Sequence, residues 1–272
     1  MQVKNLMSED LVTIDKDQSL SDGLKLLRKN NISRLPVVNT NENHQKELVG
    51  IVSERDIAKK LGSSRYGNMP PSRFHISSVM VKDVIAVNED MELGEVAKLM
   101  LEKGIGSVPI ESDENMVGII SKADFVTLCV GKAFDKISVK DVMVKDIKSA
   151  SSEERLVHAR RIIIDENIGR LLTIDDGELT GILTSKDIIR ALIAFRKNVP
   201  ENHQQAQIKN ILIKDVMSTN VKTISEDSTI TEVANILMET GFNGLPVVNA
   251  NDEVVGIITQ TDLLRLVAEL ES

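Results

Sequence analysis

The chain has 272 residues, enough for about two ordinary domains, and its 42% hydrophobic and 27% charged content is that of a globular protein. A net charge of −8 argues against a broad nucleic-acid or anionic-membrane surface. Aromatics make up only 2%, which leaves no stacking platform for single strands and requires an aliphatic core.

Four segments open on a tripeptide ending in Met: Asn5-Leu6-Met7, Ser78-Val79-Met80, Asp141-Val142-Met143 and Asp215-Val216-Met217. After each, the sequence predicts a short strand, over 11–14, 84–87, 147–150 and 221–224. A helix follows. In the second segment Leu93, Val96, Ala97 and Met100 share one face before Gly104. In the fourth, Ile230, Val233, Ala234, Leu237 and Met238 do so before Gly241. The next strand reads Leu35-Pro36-Val37-Val38, Val108-Pro109-Ile110, Leu171-Leu172-Thr173-Ile174 or Leu245-Pro246-Val247-Val248. A polar turn then leads to Gly, two apolar residues, a hydroxyl and, three places on, Asp: Gly50 to Asp56, Gly118 to Asp124, Gly181 to Asp187, Gly256 to Asp262. A second helix closes each segment, over 57–61, 125–130, 188–195 and 263–270.

The Met and Asp markers advance along the chain in matched steps, so the segments are internal repeats. Their boundaries are expected at 1–62, 76–131, 137–197 and 208–272. The expected fold class is α/β (α+β), as four β-α-β-β-α repeats. A repeat of roughly 55 residues is small for a lone core, so repeats should pair. The polar links over 62–75 and 197–207 fall inside the consecutive pairs 1–131 and 137–272. The link between the pairs is shorter, so two compact pairs packed closely are expected.

The Gly-to-Asp motif admits two readings. A hydroxyl followed three places later by an acid is a capping box, with the Gly serving the hairpin turn. Alternatively, a helix N-terminus with a hydroxyl attracts phosphate, and a carboxylate one turn on can accept from a ribose diol. The two are compatible.

In this order and number, the Asp-Val-Met opening, the hydroxyl-apolar strand (Thr13-Ile14, Thr223-Ile224), the Leu-Pro-Val-Val strand and the Gly-to-Asp motif resemble cystathionine-β-synthase (CBS) domains. The resemblance covers nearly the whole chain. It implies two Bateman modules packed as a disk, similar to the γ regulatory subunit of AMP-activated protein kinase and stand-alone archaeal-type relatives. It implies ribose binding by Asp56, Asp124, Asp187 and Asp262, and phosphate binding by Ser53, Ser121, Thr184 and Thr259. It implies an adenine pocket at Thr13, Ile14, Ala86, Ser149, Thr223 and Ile224. The implied ligand is AMP, ADP or ATP. S-adenosylmethionine or another adenosyl ligand is the alternative, and a ligand-free interaction scaffold a third reading.

The copies differ. Arg34 and Arg170 precede the second strand of repeats 1 and 3, where repeats 2 and 4 have Ser107 and Gly244. The residue before the motif Asp is Arg55 or Lys186 in the odd repeats and Ala123 or Thr261 in the even ones. These four cations are assigned to phosphate, giving one strong phosphate locus per consecutive pair. Repeat 3 departs most, with Leu172 for the strand Pro, Ser149-Ala150 for Thr-Ile, and Arg160 where repeats 2 and 4 have Ala. Arg160 reads as an exposed helix residue or an extra phosphate ligand.

No Ser/His/Asp set, CxxC, Walker-type loop or GxGxxG is present, so no catalysis is expected. His44, His75, His158 and His203 lack metal-ligand spacing, so no metal is expected. Cys129 cannot form an intrachain disulfide and reads as a core residue. No apolar run approaches a ~20-residue membrane span, and residues 1–10 lack a signal-peptide core. A cytoplasmic location follows as the expectation, with adenine nucleotide and an unidentified effector protein as partners, and a homodimer among the open states.

Overall fold

The computed structural model describes residues 1–40, 46–63, 70–113 and 115–270. His44 and residues 64–69 of the first polar link lie outside these. Repeat 1 runs β1 (Ile14–Asp15), α1 (Leu20–Lys29), β2 (Arg34–Thr40), β3 (Lys46–Ser53) and α2 (Glu54–Leu61). Repeat 2 runs β4 (Val87–Asn88), α3 (Leu93–Glu102), β5 (Ser107–Ser112), β6 (Asn115–Ser121) and α4 (Lys122–Val126). After the short α5 (Val139–Val142), repeat 3 has β7 (Ser149–Ala150), α6 (Leu156–Asp165), β8 (Arg170–Asp175), β9 (Glu178–Thr184) and α7 (Ser185–Asn198). Then α8 (Glu201–Gln207) precedes β10 (Ile224–Ser225), α9 (Ile230–Thr240), β11 (Gly244–Val248), β12 (Val254–Thr259) and α10 (Gln260–Leu270).

The β-α-β-β-α order therefore holds four times. Each repeat carries one three-stranded sheet, its first strand parallel and its third antiparallel to the second. The first strand is shorter and later than the sequence suggests, pairing only from Ile14, Val87, Ser149 and Ile224. The residues before it connect back to the Met segment, which is bound elsewhere. The first helix ends on a left-handed residue in every copy: Asn31 (φ 50°), Gly104 (63°), Asn167 (52°) and Gly241 (68°). Gly and Asn are the residues that tolerate this conformation. The second polar link contains α8, with Pro200 at its N-cap. The buried Gln204 explains this order: its Nε2 donates to the last carbonyls around α7, Arg196 O at 3.1 Å and Val199 O at 2.7 Å.

The apolar residues divide into two compact units. One comprises Val12–Val84 and Lys148–Val221, and its core is drawn from repeats 1 and 3. The other comprises Met1–Leu11, Ile85–Ile147 and Lys222–Ser272, and its core is drawn from repeats 2 and 4. The cores thus join alternate repeats, whereas chain order suggested consecutive ones. Helix packing accounts for this. In the 1/3 unit α2 packs on α7, and in the 2/4 unit α10 packs on α3 and α4. The second helix of a repeat covers its apolar face with the helices of another repeat.

The Met segments are exchanged. Val3, Ile76, Val139 and Ile213, at the head of the four Met turns, are fully buried, and Val3 belongs to the 2/4 core. The residue after each Met bridges to the residue after a motif Gly: Ser8 to Ile119, Val81 to Ile51, Val144 to Ile257, Ser218 to Ile182. The opening segment of one repeat thus lies on the motif strand of its neighbour in sequence. The motif Gly is required by this contact and not by the hairpin turn, since none of the four has positive φ. A β-carbon at Gly50 would stand 2.6 Å from Met80 Sδ and 3.0 Å from Val81 O. At Gly181 it would stand 2.5 Å from Met217 Sδ, at Gly256 2.6 Å from Met143 Sδ, and at Gly118 against Met7 Sδ. Each of these Gly residues also sits opposite the residue at which the antiparallel register shifts by a bulge.

Cys129 is fully buried, and burial pushes its thiol up to about 12. Among the described residues no helix is long and apolar enough to cross a membrane, and no cluster of His, Cys, Asp and Glu could hold a metal.

Candidate functional site

The motif hydroxyl and Asp meet in all four repeats. The backbone N of the hydroxyl residue donates to the Asp Oδ2: Ser53 to Asp56 at 2.9 Å, Ser121 to Asp124 at 2.6 Å, Thr184 to Asp187 at 2.9 Å, Thr259 to Asp262 at 2.8 Å. The hydroxyl donates to the same oxygen, at 2.5 Å in repeats 1 and 3 and 2.8 Å in repeats 2 and 4. With Asp56 N and Asp187 N donating back to Ser53 Oγ and Thr184 Oγ1, the capping box is complete at α2 and α7, while α4 shows its carboxylate half. Thr259 instead accepts from Thr261 N at 3.1 Å. Asp serves where Glu is the usual choice because one short carboxylate must meet both backbone N and hydroxyl with one oxygen.

Capping occupies Oδ2, so what each repeat can offer a ligand is Oδ1. Asp56 and Asp124 have no Oδ1 partner recorded among the described residues. Burial raises the Asp124 carboxyl against the lowering effect of its Ser121 bonds. One turn on, Arg265 Nη1 lies 3.0 Å from Asp262 Oδ1, and Arg190 Nη1 lies 3.8 Å from Asp187 Oδ1. The corresponding residues in repeats 1 and 2 are Lys59 and Thr127. Asp262 is almost wholly buried, so the fourth carboxylate is the most occupied of the four.

All four sequence-assigned cations lie in the 1/3 unit. One unit therefore holds all four, where the sequence suggested one locus per consecutive pair. Arg34 is the cross-strand partner of Ser53, and Arg170 of Thr184, so each stands on the same face as its motif hydroxyl. Burial, and next the like charge of Arg55, lower the Arg34 guanidinium from its ordinary value. Burial also lowers Arg55, whose Nη1 donates to Asn167 Oδ1 of repeat 3. Lys186 Nζ lies 3.9 Å from Glu54 Oε1, joining the first turns of α7 and α2. The Glu54 side chain is only 15% exposed. Burial raises its carboxyl, opposed by Lys186, a Ser33 hydrogen bond and Arg34.

The 2/4 unit repeats this junction with other chemistry. Lys122 Nζ donates to Thr261 Oγ1 at 2.8 Å, linking the two positions held by Glu54 and Lys186 in the 1/3 unit. Lys122 is a cation that sequence reading missed. It follows the motif hydroxyl, whereas the copies were compared at the residue before the Asp. Ser107, cross-strand from Ser121, is buried with no hydrogen-bond partner for Oγ.

The remaining expectations divide. The side chains of Ile14 and Ile224 are buried in the two cores. Thr13, Ala86 and Thr223 are half-buried, and Ser149 is exposed. Thr223, Ile224, Ser225, Ser228, Glu232 and Asn235 border a groove of 420 Å³, which neither Thr259 nor Asp262 lines. Arg160 is neither an exposed helix residue nor at the motif hydroxyls. It is half-buried over Gly62, with Nη1 3.5 Å from Lys59 O, at the C-terminus of α2. Arg196 donates to Leu61 O at the same end. Cations are favourable at a helix C-terminus.

A family model described as the CBS domain matches residues 3–63, 76–131, 139–194 and 213–269. Protein MJ1225 of Methanocaldococcus jannaschii is 27% identical, covering 98% of this chain and 98% of that protein. Its crystal structure, described as that of a proposed archaeal homologue of γ-AMPK, aligns with a TM-score of 0.85 at 26% identity, over 98% of this chain and 100% of that one. MJ1404 of the same organism is 26% identical over 99% of this chain, which spans 62% of that protein's length. A conserved protein of Pyrococcus horikoshii shares the fold, with a TM-score of 0.65 at 22% identity over 98% and 99% of the two chains.

Proposed function

This chain belongs to the CBS-domain family, and on that premise we propose that it is a non-catalytic regulatory protein that binds adenine nucleotides (AMP, ADP or ATP) and passes their state to an effector protein. The relation to MJ1225 supports a γ-AMPK-like role. The observation that carries the reading is the Arg34–Arg55 neighbourhood. Burial and the like charge of Arg55 lower the Arg34 guanidinium, and burial lowers that of Arg55, beside a capped helix N-terminus and the Ser53 hydroxyl. Asp56 and Glu54 already oppose part of this effect, and the bidentate geometry of Arg suits phosphate as a further anion. The free Oδ1 of Asp56 is the complementary acceptor for a ribose diol.

Signalling then requires that nucleotide bind one arrangement of the protein better than another, because uniform binding shifts no population. Calorimetry with AMP, ADP, ATP, S-adenosylmethionine and NADH tests the proposal. Adenine nucleotide should bind below millimolar concentration, and Arg34→Ala, which leaves the cap intact, should weaken it about tenfold, or ~1.4 kcal/mol. Absence of binding at millimolar ligand would overturn it. S-adenosylmethionine binding with nucleotide excluded would favour the alternative adenosyl ligand. If Asp56→Ala and Asp187→Ala lower only the melting temperature, the motifs serve as caps in a scaffold.

A further inference from the structure

In the 1/3 unit the motif ends of α2 and α7 bring cations close to three acids, Glu54, Asp56 and Asp187, of which Asp56 and Asp187 are engaged in the motif caps. Arg34 and Arg55 neighbour Glu54 on the α2 side and Lys186 reaches it from α7, its Nζ 3.9 Å from the carboxylate, while Arg170 stands cross-strand from Thr184 at the N-cap of α7. The charged surroundings of Glu54 come from every side: Arg34 on β2, Lys186 and Asp187 on α7, and Arg55 and Asp56 on its own helix. The same position is Lys122, Ser185 and Gln260 in the other repeats. No general feature of the repeat therefore demands an acid here.

We propose that Glu54 makes the 1/3 unit selective for a nucleoside monophosphate over a triphosphate. The inference rests on the reading of the motifs as nucleotide grips. A single phosphate can sit against Ser53 and Arg34, on the face that these cross-strand partners share. Glu54 directly follows Ser53 and reaches toward Lys186, so phosphates added beyond the first meet a carboxylate where the next cation would be. Because the Glu54 side chain is mostly excluded from water, solvent screens that repulsion weakly. In the ligand-free protein the same carboxylate offsets the cations and the two helix dipoles. Loss of a purely structural counter-ion would alter AMP and ATP affinity alike, whereas loss of a selectivity group moves their ratio.

The test is calorimetry of AMP and of ATP on the full chain, Glu54→Gln and Glu54→Lys, with melting temperatures as a folding control. The expected result is a preference for AMP in the unaltered protein that falls about tenfold in Glu54→Gln, and further in Glu54→Lys, which installs the residue found in repeat 2. An unchanged AMP-to-ATP ratio in variants that still bind would overturn this inference and leave nucleotide binding standing. Failure of the unaltered chain to bind either nucleotide would overturn both.

Discussion

A methionine thioether fills the space that a β-carbon would need at Gly50, Gly118, Gly181 and Gly256. At three of the four a backbone carbonyl (Val81, Ser218 or Val144 O) lies 3.0–3.1 Å from the same point, so bending the Met aside does not fully clear it. Gly50→Ala should therefore cost about 1–3 kcal/mol, as overpacking does. Met80→Ala should relieve part of that cost. In a urea-unfolding double-mutant cycle the two changes should depart from additivity by more than about 0.5 kcal/mol. Additive costs would show that the Gly is needed for another reason. Both residues stand out in the sequence as recurring marks. Their contact does not, because recurrence reports that each position matters in every copy but not which copy supplies its neighbour.

At the scale of the element, each closing helix begins one turn earlier than its apolar pattern suggests, at the residue after the motif hydroxyl. The pattern locates buried positions such as Ile57 and Ile188, but the first turn is set by the cap. For α7, Thr184→Ala should cost about 0.5–2 kcal/mol in urea unfolding, while Thr184→Ser should be nearly neutral. An equal loss in both would mean that packing of the Thr methyl, and not the hydroxyl, starts the helix. Helix faces and the order of strands were legible because hydrophobic period is a local property. The opening strands were less so: ladder pairing starts only where the chain returns from the exchanged Met segment. The helix α8 was hidden because its polar composition reads as a link. Its buried amide, Gln204, ties it to the end of α7.

For the molecule as a whole, sequence neighbours and core neighbours differ. Residues Met1–Leu11 open repeat 1 yet belong to the 2/4 unit. Val3 N donates to Met91 O, Leu93 N to Met1 O, and Ser8 and Ile119 exchange backbone bonds. Removal of residues 1–11 should thus accelerate amide exchange in β6 of repeat 2 and leave β3 of repeat 1 protected. Faster exchange in β3 alone would contradict the assignment. The candidate site was legible to the same extent. The motif residues and the cations of repeats 1 and 3 are visible one repeat at a time. Their gathering in one unit, and the matched pairs Glu54–Lys186 and Lys122–Thr261, depend on helix packing between segments over a hundred residues apart.

The exchanged Met segments also bear on how such a chain arose. A lone ancestral copy would carry a Met segment with no strand of its own to lie on, and a motif Gly left open to solvent. Its backbone edge at the residue after that Gly would be unpaired, a condition that invites association with another chain. Two copies satisfy each other reciprocally, whether as separate chains or in tandem. Duplication would then have converted an encounter between molecules into a covalent partnership. The reciprocal couple, and not the single repeat, is the unit in which both of these contacts are satisfied.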